Sequence, residues 1–150
     1  MRSLVLAMLL MIAHAAPALS WWQYAQWGMS SSQIASASAG RATPCRPDVP
    51  VCARPPGGVT PTLFVDGITM VGAPASASFS FDGNDQLVQT VVLFPTSDVA
   101  LLSSLLDGIH GAAVEGSSPK TWRDSRRGTT LTATPVGPGA MLLYRPTVAQ

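Results

Sequence analysis

The chain has 150 residues, 47% hydrophobic and 11% charged, with a formal charge of +1 and 13 each of Gly and Pro. That length holds one domain or two very small ones, and so much turn-forming residue suits short strands rather than a helical bundle. A near-neutral chain with Lys120 as its only lysine has no electrostatic footprint for nucleic acid or an anionic membrane.

The N-terminus has the layout of a secretory signal peptide. Arg2 precedes an apolar run from Leu4 to Ala13, and small residues follow it. The run is too short to favour a membrane span. The expected cleavage is after Ser20, giving a leader of residues 1–20, with Ala15 and Ala18 as alternatives. No cysteine sits at this boundary to accept a lipid. Residues 21–150 are then expected to form a single small α+β domain, periplasmic or secreted. In an oxidising compartment Cys45 and Cys52 are expected to pair as a disulfide. Their spacing does not match a Cys-x-x-Cys redox site. Two thiols and one remaining histidine make a poor zinc site, so no metal or cofactor is expected.

After the leader come Trp21, Trp22, Tyr24 and Trp27. They read either as an aromatic platform for a glycan or small ligand, or as rings packed onto a sheet. Ser30 and Gln33 form a capping box ahead of a helix predicted over Ser31–Ala39, with Gly40 as its stop. Residues 41–61 contain Pro44, Pro47, Pro50, Pro55, Pro56 and Pro61, and no regular element is expected there. The disulfide would close a loop in this stretch, and Arg41, Arg46 and Arg54 would give it a weak preference for anions.

Thr62 to Val71 reads as a strand with a bulge or turn at Asp66-Gly67. Ala77 to Pro95 is the clearest hairpin, two β-rich runs around Asp82-Gly83-Asn84-Asp85. A two-residue loop would place Phe79, Phe81, Val88, Val92 and Phe94 on one face. A loop one residue longer would group the Phe pair with Leu87, Val91 and Leu93. Asp98 to His110 is predicted helical, capped by Thr96 or Ser97. Its inner face is expected to comprise Val99, Leu102, Leu106 and Ile109, widened by Leu101 and Leu105. Short strands follow at Lys120–Arg123, Thr129–Thr134 and Ala140–Arg145. The fold class expected is α+β, an antiparallel sheet with helices packed on one face. The order of elements suggests a tandem helix-plus-three-strand duplication.

Catalytic chemistry is thinly represented. His110 lies three residues after Asp107 on one helix, with Ser103 and Ser104 further back, but a histidine at a helix C-terminus more simply complements the dipole. No nucleophile elbow, phosphate loop or zinc-protease motif is present, and no catalytic residue is assigned. The acids Asp82 and Asp85 read as turn chemistry rather than a calcium loop. Trp122, Arg123, Arg126 and Arg127 could receive a phosphate or an acidic partner through guanidinium contacts, or form a solvated hairpin tip.

Three features carry a resemblance: Trp27-Gly28-Met29-Ser30-x-x-Gln33-Ile34 ending near Gly40, the Phe79-x-Phe81-Asp82 hairpin with Leu87-Val88, and closing strands with Trp122, Leu131 and Leu143-Tyr144. Together they resemble small secreted or periplasmic bacterial proteins of unassigned function. The capped helix and sheet also resemble the SmpA/OmlA (BamE-like) module, and its tandem form the β-lactamase inhibitor protein architecture. The Pro-rich loop and the missing lipid-accepting cysteine depart from that pattern. The resemblance implies an exported, non-enzymatic module that binds an envelope or secreted protein. The alternatives are a glycan or small-ligand binder using the N-terminal rings, or a small hydrolase built on His110.

Overall fold

A computed structural model describes residues 23–148. The leader and its cleavage site, and with them Trp21 and Trp22, lie outside the described residues. The first helix, α1, spans Ser31–Ala37. The predicted capping box closes it: Ser30 Oγ accepts from the Gln33 N–H at 3.2 Å, and Gln33 Oε1 accepts from the Ser30 N–H at 2.8 Å. It ends two residues early because the chain turns left-handed at Ala39 and Gly40, with φ of 55° and 75°.

Seven antiparallel strands build one sheet in the order β1-β2-β3-β4-β7-β6-β5. They are β1 Thr43–Pro44, β2 Leu63–Met70, β3 Ala73–Phe81, β4 Leu87–Phe94, β5 Lys120–Asp124, β6 Thr129–Val136 and β7 Gly139–Pro146, and the helix α2, Val99–His110, follows β4. Two three-stranded meanders, β2-β3-β4 and β5-β6-β7, therefore meet along β4 and β7, each preceded by a helix. The expected bulge in β2 is present: its register against β3 shifts between Val65 and Ile68.

The central hairpin follows the longer of the two expected loops at its tip only. Its loop is the longer one: Asp85 N–H donates to Asp82 C=O, Asp82 N–H donates to Gln86 C=O, and Phe81 pairs with Leu87. A second irregularity between Ser80 and Phe81 then slips the ladder by one residue, so that Phe79 pairs with Thr90. The buried face is therefore Phe79, Leu87, Val92 and Phe94. Phe81 is half-buried against it, and Val88 is displaced from it.

Helix α2 starts one residue later than predicted, and Asp98 is the cap, its Oδ1 accepting from the Ala100 N–H at 2.8 Å. Its buried side is Leu102, Ser103, Leu106 and His110. Leu101, Leu105 and Ile109 form the next stripe round the helix and remain 61%, 40% and 41% exposed.

Both helices lie on one face of the sheet. Ile34 of α1 and Leu102 and Leu106 of α2 share a core with Phe79, Phe94, Trp122, Leu142 and Tyr144. The Pro-rich stretch crosses the other face, and it is not wholly irregular. β1 pairs with β2, and a 3-10 turn at Pro50–Cys52 seats Val51 beside Phe64 and Val91 in a second, smaller core. No helix among the described residues is long and apolar enough to cross a membrane.

Candidate functional site

Alternation along β4, β6 and β7 sends Ala140, Leu142 and Tyr144 under the helices and leaves Leu93, Met141, Leu143, Thr130, Thr132 and Thr134 on the opposite face. Over that face runs the segment Val49–Val59. Cys45 and Cys52 are joined as expected, with Cα atoms 5.6 Å apart, which closes the first half of the loop. The second half is held by a polar cluster. Arg145 Nε and one terminal nitrogen donate to Gln89 Oε1 at 3.2 and 3.1 Å, and that nitrogen also donates to the Gly57 carbonyl at 3.1 Å. Gln89 Nε2 donates to the Val59 carbonyl at 3.2 Å, and Arg54 Nε donates to the Gly58 carbonyl at 2.6 Å. Gly58 packs so closely that a Cβ there would lie 2.5 Å from Pro55 Cγ and 3.0 Å from Gln89 Oε1.

Between loop and sheet lies a groove of about 390 Å³, lined chiefly by Pro50, Val51, Val91, Leu93, Val136 and Met141. Arg54 and Thr134 also line it. Nothing in the residue pattern singled out Gln89 and Arg145, which clamp the second half of the loop beside it. The available signal was one amide in the apolar run Leu87 to Phe94: a buried Gln must find partners, and its flanks predict none locally.

The aromatic candidates divide. Tyr24 is half-buried, its ring 6.5 Å from that of Phe79, and burial raises the pKa of its hydroxyl. Trp27 is also half-buried and donates through Nε1 to Thr129 Oγ1 at 2.9 Å. Both pack onto the core, so the described part of the aromatic cluster forms no open platform. Trp122 does not belong to a binding surface either. It is 0% exposed under α2, and its Nε1 donates to Asp107 at 2.7 Å. That bond is the main cause of the lowered pKa of the Asp107 carboxyl. Arg123 and Arg126 are exposed, whereas Arg127 turns back and donates to Asp124 at 2.6 Å.

His110 meets Asp124, not Asp107: its Nδ1 stands 3.2 Å from Asp124 Oδ2, with the two side chains 3% and 4% exposed. Burial alone would raise the Asp124 carboxyl, but hydrogen bonds from Arg127 and His110 outweigh it and hold the pKa below the ordinary value. A base and its orienting carboxylate are thus adjacent, but inside the protein. The arrangement ties the end of α2 to β5. Asp82 holds the turn, accepting from the Gln86 N–H at 3.0 Å, whereas Asp85 reaches across to the start of α1 and accepts from the Ser31 N–H at 3.2 Å. Among the described residues no group of three His, Cys, Asp or Glu could hold a metal.

Comparison of the chain with known protein families, with curated proteins and with solved structures returns no match in any of the three.

Proposed function

We propose that this chain is an exported, non-enzymatic binding module that takes a peptide segment of another envelope or secreted protein into the groove between the disulfide-closed loop and the open sheet face. The observation that carries this reading is the way the groove is built. A disulfide, a buried Gln89 and a doubly anchored Arg145 hold a Pro-rich arch above an apolar floor. Prolines and a cross-link remove conformations before binding, which lowers the ordering cost of recognition. Export is supported by the Arg2-led apolar run and by a disulfide that persists only in an oxidising compartment.

Selection of displayed peptides against the purified protein tests the binding reading. Enriched peptides are expected to lose at least tenfold in affinity to Met141→Glu, which puts a charge on the groove floor. No enrichment, or enrichment indifferent to that change, refutes it. Fusion of residues 1–30 to a phosphatase that matures only outside the cytoplasm tests export: activity is expected, and an inactive, intact cytoplasmic fusion refutes it.

A further inference from the structure

Charge on this molecule is unevenly placed. The open face of the β4–β7–β6–β5 half carries Arg145 and Arg123, with Arg54 reaching in from the loop. The carboxylates lie elsewhere: Asp66 at the β2 bulge, Asp82 and Asp85 at the hairpin tip, Asp98 and Asp107 on α2, Glu115 after it and Asp124 on the helix side. Asp48, on the loop, is paired with Arg46 at 3.4 Å. Arg145 and Arg54 bond only to neutral acceptors, the Gln89 amide and the carbonyls of Gly57 and Gly58. Their charges on this face are therefore not neutralised by any carboxylate among the described residues.

The sheet register fixes where these charges stand relative to the groove. Gln89, Arg145, Thr130 and Arg123 form one row across the strands, and Leu93, Met141 and Thr134 form another. Arg145 stands four steps along β7 from Met141, about 13 Å of strand. Arg123 stands two strands from Arg145, about 10 Å. Both sheet edges are partly covered. β1 with Pro44 caps β2, while Val114 N–H donates to the Thr121 carbonyl at 2.7 Å and Ser117 Oγ accepts from the Thr121 N–H at 3.0 Å. With the free edges shortened in this way, the face offers a partner the broader surface.

Resting on the binding function proposed above, we infer that the groove takes an acidic peptide. Apolar side chains fill the Leu93–Met141 end, and carboxylates some four residues away pair with Arg145 and Arg123. Carboxylate meets guanidinium with complementary planar geometry, and the apolar end asks for side chains that nucleic acid lacks.

Fluorescence anisotropy of labelled peptides tests it. The probe Ser-Leu-Leu-Ser-Thr-Glu-Glu-Ser is expected to bind more weakly as salt rises from 50 to 300 mM, with a Lys-for-Glu version at least tenfold weaker. Arg123→Gln, an exposed change outside the loop clamp, is expected to weaken the acidic peptide about twofold to fivefold and leave a Ser-for-Glu version unchanged. If the Lys version binds as tightly, or salt has no effect, the acidic partner is overturned while groove binding stands. If no version binds, the binding function falls with it. A sedimentation-detected dimer broken by Met141→Glu would make the occupant a second copy and also overturn the acidic partner.

Discussion

Asp124 shows how one carboxylate is made indispensable by what surrounds it. Burial alone would raise its pKa; with Arg127 and His110 bonded to it, the pKa lies below the ordinary value. Because its folded pKa is depressed, its contribution is complete above the unfolded value of about 3.9 and is lost as pH falls through the lower folded value. Asp124→Asn is expected to cost about 3 kcal/mol at pH 7, since it leaves the buried His110 and the partly exposed Arg127 without their charged partner. Urea unfolding at a series of pH values should also show a shallower decline below pH 4 in the variant than in the parent. A parallel decline in both would mean that Asp124 carries no linkage. His110 and Asp124 could not be joined from sequence, because fourteen residues and a loop separate them, whereas Asp107 stood one helical turn away.

Turns and cross-links decide what each element can do. The β2–β3 hairpin turns on Val71 and Gly72, both at positive φ, 47° and 79°. A β-branched residue is costly in that conformation and Asn is not, so Val71→Asn is expected to stabilise by about 1 kcal/mol, raising the thermal midpoint. Unchanged or lowered stability would show that Val71 contributes packing that outweighs its backbone. In the Cys45–Cys52 loop, replacing both cysteines by Ala is expected to cost about 2.5 kcal/mol in the loop-closure estimate. Limited proteolysis within residues 45–59 should then report a loosened arch over Val91 and Leu93 with the sheet intact. The slip at Ser80–Phe81 belongs here too. The longer-loop register considered from the sequence holds only at the tip; beyond it Phe79 pairs with Thr90, a slip that the hairpin's own residue pattern does not record.

For the molecule as a whole, two meanders joined at β4 and β7 leave both faces of the sheet with work to do. One face is buried under helices; the other is roofed over half its width by the Pro-rich loop. Within α2 the division can be measured. Leu106→Ala is expected to cost about 3–4 kcal/mol because Leu106 is wholly buried, while Leu101→Ala, 61% exposed, should cost under about 0.5 kcal/mol. Similar losses at both positions would place Leu101 in a contact beyond the described residues.

The sequence by itself determined the α+β class, the two helices with a capping box on the first, the strand segments and the disulfide. Each rests on local periodicity, turn chemistry or proximity along the chain. The tertiary structure alone decided that Trp122 is core, that α2 turns Leu101, Leu105 and Ile109 outward, and that Gln89 and Arg145 hold a loop above a groove. Those outcomes depend on which distant surfaces meet across strands far apart in the chain, and alternation within one strand carries no record of what its neighbour presents.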